Sequence, residues 1–182
     1  MFVGDSFIKR LNDFQRERCG ELLCVEQGNV DIRGYSGARV RDVSAAVGRM
    51  RIQFGRYSVA VISVGSNDFC DARCTPEIVC EELTVLARVL VRTFGVAKVI
   101  ICQVLRLQRT SHHFQRLSLM KYNAAVDKLN SLLNDHCTGT LFFWRHHHGV
   151  LGSRHLLSDG VHLNEHGMKA FRRSLIRALS YL

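Results

Sequence analysis

Phe2-Val3-Gly4-Asp5-Ser6-Phe7 is the stretch of sequence that decides the fold. A short apolar run, a Gly-Asp-Ser turn and a helix-like apolar spacing from Phe7 onward predict a strand, a tight turn and a helix. Such a turn places Ser6 at the carboxyl end of a strand, which is the edge where open α/β sheets bind ligands. It also places Ser6 at a helix N-terminus, where N–H groups and the helix dipole favour negative charge. Ser6 is therefore a candidate nucleophile, although this tripeptide alone equally suits a simple helix cap.

Beyond this turn, apolar β-branched runs alternate with amphipathic stretches, which is the pattern of βα units and a parallel sheet. Further strands are predicted within 22–32 and at 58–64, 97–104 and 140–144. Helices are predicted at 7–20, 40–54, 76–94, 119–133 and 164–182. The sequence therefore predicts a three-layer α/β/α sandwich with a flavodoxin-like, five-stranded parallel sheet.

The composition is typical of one globular domain, with 182 residues of which 47% are hydrophobic and 23% are charged. We expect a single domain over 1–182, with a first strand that is truncated or frayed because so few apolar residues precede Gly4. No apolar run approaches the roughly 18 residues of a membrane span, and the N-terminus lacks the pattern of a signal peptide. The expected location is therefore intracellular and cytoplasmic.

The net charge of +9 indicates attraction to polyanions such as nucleic acid or anionic lipid. The basic residues form small scattered groups, so both a solvated basic surface and weak nucleic-acid binding remain open. Seven cysteines at irregular spacing, without a secretory signal, favour reduced thiols. They lack the paired Cys-x-x-Cys spacing of a structural zinc site, so neither a metal nor another cofactor is predicted.

Four polar segments carry the residue types that nucleophilic catalysis by a serine requires. They are Gly4-Asp5-Ser6, Gly34-Tyr35-Ser36-Gly37, Gly65-Ser66-Asn67-Asp68 and Asp159-Gly160-Val161-His162. The first three follow predicted strands, and the fourth precedes the last helix. Because the carboxyl ends of parallel strands share one rim, the sequence predicts that these segments converge.

The residue types indicate a division of roles. A serine hydroxyl needs a base, and His162 can accept the proton of Ser6 while Asp159 holds the other imidazole nitrogen. A tetrahedral oxyanion needs fixed donors, which the backbone N–H groups of Ser6 and Gly37 and the side-chain amide of Asn67 can supply.

The same residues also have plainer interpretations. Asn67 suits an ordinary turn, and Gly37 suits any backbone position with a positive φ angle. His162 and His166 have the i,i+4 spacing of a metal pair, but no third ligand has a matching spacing, and His166 is expected at the exposed start of the last helix.

Neighbouring residues are given supporting roles. Asp5 and Asp68 are expected to brace turns rather than to take part in chemistry. The histidines at 146–148 are expected in a polar loop near the rim. Three apolar residues are candidates to line an acyl pocket: Phe69, Leu105 and Phe114.

The four segments together resemble the SGNH hydrolase (GDSL esterase/lipase) superfamily. Ser6 stands in Gly-Asp-Ser, Gly37 in Ser-Gly, Asn67 in Gly-Ser-Asn-Asp and His162 in Asp-Gly-Val-His, in the family's order and across nearly the whole chain. The resemblance implies a flavodoxin-like sheet and metal-independent hydrolysis of acyl or acetyl esters through an acyl-serine. The implied substrate is a small ester or a lipid-like ester.

The segments 142–146 and 159–164 resemble a narrower group, the animal esterase-like domains. Some of these lie in the first open reading frame of LINE-type retrotransposons, beside RNA-binding segments. That resemblance implies an alternative function, a retroelement-derived module that binds RNA or a partner and has weak or no esterase activity.

Overall fold

The computed structural model describes residues 1–17, 30–71, 73–109, 118–146 and 153–182. Its strands are β1 (Phe2–Gly4), β2 (Ile32–Gly34), β3 (Val59–Ser63), β4 (Lys98–Cys102) and β5 (Leu141–Trp144). Its α-helices are α1 (Ser6–Glu17), α2 (Val40–Gly48), α3 (Pro76–Phe94), α4 (Leu119–His136) and α5 (Glu165–Ser180). Short 3₁₀ turns lie at Asn67–Cys70 and Ser153–His155.

The five strands form one parallel sheet in the order β2-β1-β3-β4-β5. This is the flavodoxin-like order, in which the strand order reverses beside the first strand. Although β1 has only three residues, it is paired on both sides, with Gly4 opposite Gly34 of β2 and Ser63 of β3. The predicted fold class is therefore confirmed.

Two apolar cores lie on opposite faces of the sheet and define the outer layers. Alternate residues of β3 serve both, since Val61 belongs to the core with α1 and α5 and Ile62 belongs to the core with α2, α3 and α4. Burial on both faces explains why β3 reads as a nearly continuous apolar run.

Glycine allows two close backbone approaches beside the candidate site. A Cβ at Gly4 would lie 2.0 Å from the carbonyl oxygen of Ser63, and a Cβ at Gly34 would lie 2.0 Å from the backbone nitrogen of Lys9. Both positions therefore require a residue without a side chain, and α1 lies directly against the end of β2.

Helix α2 and strand β2 differ most from their predicted boundaries. Helix α2 ends at Gly48 rather than at 54, because the N–H of Arg49 donates to the carbonyl of Ala46 and the N–H of Met50 donates to that of Val47, which closes the helix. The apolar spacing continues past this point, but Phe54 is 71% exposed and lies outside the helix. Strand β2 begins at Ile32, the last residue of the region predicted within 22–32, and ends at Gly34, which the sequence assigned to the following turn. The predicted helix end at Gly20 lies outside the described residues.

The prediction of a polar loop is wrong for His146. Its ring is buried between β5 and α5, with Nδ1 2.9 Å from the Ser174 hydroxyl and the ring centroid 4.9 Å from that of Phe171. The Trp144 indole donates to the same hydroxyl at 3.0 Å, so β5 and α5 share a buried polar contact. Positions 147 and 148 lie outside the described residues.

Two general features of the described ranges bear on the chemistry. Their five cysteines have free thiols, as the sequence predicted. Each helix in these ranges is too short or too polar to span a bilayer.

Candidate active site

The polar segments meet at the carboxyl ends of the strands. Ser6 is the first residue of α1, directly after β1 and Asp5. Gly37 lies in the turn between β2 and α2, and Asn67 begins the 3₁₀ turn after β3. Asp159 and His162 lie in the segment that leads into α5. The predicted convergence of Ser6 with His162 and Asp159 is present in the structure.

A chain of close contacts joins three of these side chains. The Ser6 hydroxyl oxygen lies 3.3 Å from Nε2 of His162, and Nδ1 of the same ring lies 2.8 Å from Oδ2 of Asp159. A base within hydrogen-bond reach of a hydroxyl, and oriented by a carboxylate, is the geometry expected of an activated nucleophile.

The Asp159 carboxylate is oriented by its own local turn. Oδ1 accepts the backbone N–H groups of Val161 and His162, both at 2.9 Å, while Oδ2 faces the His162 ring. Partial burial by itself raises the pKa of Asp159, but the hydrogen bonds from His162 and Val161 outweigh this and hold the pKa below its usual value. The carboxyl group is therefore kept in its ionised form.

The segment that carries His162 is held by the N-terminal cap of α5. Oδ1 of Asn164 accepts the N–H of Gly167 at 3.0 Å, and the amide nitrogen of the same side chain donates to the carbonyls of Arg154 and Leu156. The cap thus ties the helix start to the preceding 3₁₀ turn and fixes the short segment that carries His162.

The candidate oxyanion donors lie in two loops that contact each other. Gly37 has a φ angle of +71°, a left-handed conformation that glycine adopts without strain. The Asn67 side-chain nitrogen donates to the carbonyl of Ala38, one residue further, at 3.0 Å. The turn is also fixed to β1, because the N–H of Tyr35 donates to the carbonyl of Gly4 at 2.9 Å.

Two buried carboxylates hold these loops, which confirms the bracing role predicted for Asp5 and Asp68. Asp5 accepts the N–H of Phe7 at 3.0 Å and the hydroxyl of Ser66 at 3.1 Å. Both oxygens of Asp68 lie 3.2 Å from the N–H of Val40, the first residue of α2. Burial raises the pKa of Asp5 to about 7 and that of Asp68 to about 6.

The prediction of an acyl pocket is wrong for one of its three residues. Phe69 is buried in the core, where its ring packs edge-on against Tyr122, so it is not available to a substrate. Leu105 is also buried, in the core with α1 and α5, and Phe114 lies outside the described residues.

No metal site is found among the residues that the structure describes. No group of three His, Cys, Asp or Glu side chains in these ranges could hold an ion. His166 is exposed on the first turn of α5, where the sequence placed it.

Sequence reasoning missed one residue of the site, Ser66. Its hydroxyl donates to Asp5, and its carbonyl accepts the Tyr122 hydroxyl at 3.4 Å. The only sequence signal was its position between Gly65 and Asn67, which does not indicate a partner 61 positions away.

The solved structures that resemble this chain share its fold at low sequence identity. A candidate platelet activating factor from Streptococcus pneumonia has a TM-score of 0.76 at 15% identity, over 98% of this chain and 82% of that chain. A GDSL-like lipase from Bacteroides thetaiotaomicron has a TM-score of 0.71 at 15% identity, over 99% and 86%. A carbohydrate esterase of family 3 from Talaromyces cellulolyticus has a TM-score of 0.64 at 15% identity, over 100% and 95%.

A comparison with curated proteins finds no match. The model of the GDSL-like lipase/acylhydrolase family matches residues 2–170, a range that includes all four polar segments. This agrees with the SGNH resemblance that the segments indicated. Because the match covers most of the chain, the protein belongs to the GDSL-like lipase/acylhydrolase family.

Proposed function

We propose that the protein is a serine esterase that hydrolyses acyl or acetyl esters through an acyl-serine intermediate. One observation carries the proposal: the Ser6 hydroxyl lies 3.3 Å from the His162 ring, whose other nitrogen lies 2.8 Å from Asp159. Membership of an acylhydrolase family supports the same chemistry. As in other serine hydrolases, the three side chains have the roles of nucleophile, general base and orienting carboxylate.

In the first half-reaction, Nε2 of His162 takes the hydroxyl proton as Ser6 oxygen attacks the ester carbonyl. The tetrahedral intermediate collapses, its bond to the alcohol oxygen breaks, and the protonated ring gives its proton to the leaving alcohol. In the second half-reaction, the ring takes a proton from water as the water oxygen attacks the acyl-serine carbonyl. The second tetrahedral intermediate collapses, its bond to the Ser6 oxygen breaks, and the protonated ring returns its proton to that oxygen, which releases the carboxylic acid and restores Ser6. Asp159 stabilises the imidazolium that forms in both halves.

The oxyanion of each intermediate needs donors that are fixed before the reaction. We assign this role to the N–H groups of Ser6 and Gly37 and to the side-chain amide of Asn67. The Ser6 N–H belongs to the first turn of α1, where backbone donors have no partner within the helix. The loss of one such donor typically reduces transition-state stabilisation by about 3 kcal/mol.

The test is hydrolysis of p-nitrophenyl esters from acetate to long acyl chains. The series covers the chemistry named for the neighbours, which include a lipase and a carbohydrate esterase. Ser6→Ala is expected to abolish turnover while it leaves the circular dichroism spectrum unchanged. Ser131→Ala, the same change on the exposed face of α4, is the matched control and is expected to retain full activity.

Labelling with a fluorophosphonate, a serine-directed probe, tests the nucleophile without a choice of substrate. We expect one adduct per chain, located on Ser6 by mass spectrometry. A folded wild-type chain that hydrolyses no ester in the series and forms no adduct would overturn the proposal.

A second candidate function, binding of nucleic acid, rests on the surface around β2 and α2. Residues 30–57 contain six arginines and two aspartates. Five of these arginines are exposed: Arg33, Arg41, Arg49, Arg51 and Arg56. Exposed guanidinium groups attract phosphate, in agreement with the LINE-associated group that the sequence resembles.

Fluorescence anisotropy with single-stranded RNA tests this candidate. Affinity is expected to fall steeply as salt rises, because each neutralised phosphate releases counterions. Arg49→Gln with Arg51→Gln should reduce both the affinity and the salt slope. Arg173→Gln with Arg177→Gln makes the same charge change on α5, on the other face of the sheet, and should have less effect. The absence of binding at low salt would dispose of this candidate.

A further inference from the structure

A path of hydrogen bonds, with one covalent link, connects the turn at Ser6 with the loop that carries Asn67. It begins at the N–H of Phe7, which donates to Oδ1 of Asp5 at 3.0 Å. Oδ2 of Asp5 accepts the hydroxyl of Ser66 at 3.1 Å. Ser66 directly precedes Asn67, whose side-chain nitrogen donates to the carbonyl of Ala38 at 3.0 Å.

Each end of this path lies next to a proposed reacting or donating group. Phe7 follows Ser6, and Ala38 follows Gly37. The path therefore spans the proposed nucleophile and the proposed donors of the oxyanion hole. Its centre is held in turn, because the carbonyl of Ser66 accepts the Tyr122 hydroxyl of α4 and the N–H of Asp5 donates to the carbonyl of Ser63.

The central carboxylate is in an unfavourable place for a charge. Asp5 is 2% exposed and borders a small pocket that Val104, Leu105 and Phe171 also line. Desolvation raises its pKa to about 7, and Asp68 nearby adds like-charge repulsion. A buried group of this kind at the centre of a site is expected to have a role there beyond packing.

We propose that Asp5 is a positioning residue that, through the Ser66 hydroxyl, fixes the spacing between Ser6 and Asn67. The inference rests on the proposed esterase function. A small displacement of the reacting groups raises the free energy of the transition state more than it weakens substrate binding. The tie between Asp5 and Ser66 should therefore support kcat and have little influence on KM.

The test is a pair of substitutions at Ser66 with short-chain p-nitrophenyl esters as substrates. Ser66→Ala removes the donor to Asp5, and kcat is expected to fall by about 10- to 100-fold with KM within about twofold of wild type. Ser66→Thr keeps the hydroxyl and should restore kcat to within about threefold. A role in stability alone would leave the kcat of the folded fraction unchanged in both variants.

Hydrogen–deuterium exchange provides a readout that does not depend on turnover. Exchange at the Phe7 amide is expected to accelerate in Ser66→Ala and to return to the wild-type rate in Ser66→Thr. Unchanged exchange at the Phe7 amide in Ser66→Ala overturns the proposal. An unchanged kcat in Ser66→Ala also overturns it, as does an equal loss of kcat in Ser66→Ala and Ser66→Thr.

The two proposals fail in distinguishable ways. A wild-type chain with neither turnover nor a fluorophosphonate adduct overturns the esterase function, and with it any role of Asp5 in catalysis. A wild-type chain that turns over normally, with a Ser66→Ala variant that is equally active, overturns only the positioning role.

Discussion

At the scale of single residues, the aspartates of the site differ in how their surroundings shift the pKa. Asp159 is partly exposed, and its hydrogen bonds hold its pKa below the usual value. Asp5 and Asp68 are buried, and desolvation raises their pKa values to about 7 and about 6. An aspartate next to His162 thus acts through its charge, whereas the two aspartates between the loops act as hydrogen-bond acceptors.

These raised pKa values have a consequence for stability. In the unfolded chain both carboxyl groups titrate near pH 4, so between about pH 4 and pH 7 the folded state binds more protons than the unfolded state. The free energy of unfolding that Asp5 and Asp68 contribute must therefore decrease as pH rises through this window. Well below pH 4, where both groups are protonated in the folded and in the unfolded state, this penalty is absent.

We expect Asp5→Asn to be more stable than wild type at pH 8, by on the order of 1–4 kcal/mol. The amide is neutral, it accepts the Phe7 N–H as before, and it can donate to the Ser66 oxygen. Urea denaturation from pH 4 to pH 8 measures the difference, which should shrink toward pH 4. If the difference in the free energy of unfolding between wild type and variant did not change with pH, the raised pKa of Asp5 would be contradicted.

At the scale of secondary-structure elements, the position of α1 depends on one glycine in a neighbouring strand. Gly34 ends β2, and the backbone of Lys9 passes close to its Cα. Because Ser6 begins α1, any displacement of the helix also displaces the proposed nucleophile. The packing of this helix against β2 is therefore part of the architecture of the site.

Gly34→Ala is expected to reduce the free energy of unfolding by about 2–4 kcal/mol, because the new methyl group overlaps the α1 backbone. Gly48→Ala in α2 is the matched control, since a Cβ there meets no atom within 4 Å. That control should leave stability unchanged or raise it by up to about 1 kcal/mol, as alanine favours the helix. Equal effects of the two substitutions in urea denaturation would contradict the proposed close packing.

Element boundaries also show where sequence patterns mislead. Apolar spacing predicted α2 through 54, but spacing reports which residues face the core and not where the backbone stops being helical. Met50 still packs on the core although it lies beyond the helix. The ends of β1 and β3 were easier to predict, because turn residues follow closely: Asp5 after β1, and Gly65 with Ser66 after β3.

At the scale of the whole molecule, the alternation of strand and helix patterns and four short motifs predicted the fold and the contact between Ser6 and His162. These could be predicted because parallel strands bring their carboxyl ends to one rim. The hydroxyl of Ser66 and the ring of His146 could not be placed in this way. Their partners, Asp5 and Ser174, lie 61 and 28 positions away, and only the packed structure brings them together.

The proposed mechanism predicts that the removal of metal ions leaves the activity unchanged. The proposed reaction takes its nucleophile from Ser6 and its proton transfers from His162, so it needs no metal-bound water. We expect EDTA treatment followed by gel filtration to leave kcat for p-nitrophenyl acetate within about 20% of the untreated value, because both groups belong to the chain itself. A loss of activity that added Zn²⁺ or Mn²⁺ restores would contradict the mechanism.

The contact between Ser6 and His162 joins positions that are 156 residues apart. During synthesis on the ribosome, the proposed nucleophile therefore leaves the exit tunnel 156 residues ahead of its base. A nascent polypeptide carries a serine without its proposed base until α5 has docked against α1. Hydrolytic competence should therefore report the docking of α5 rather than the folding of the sheet.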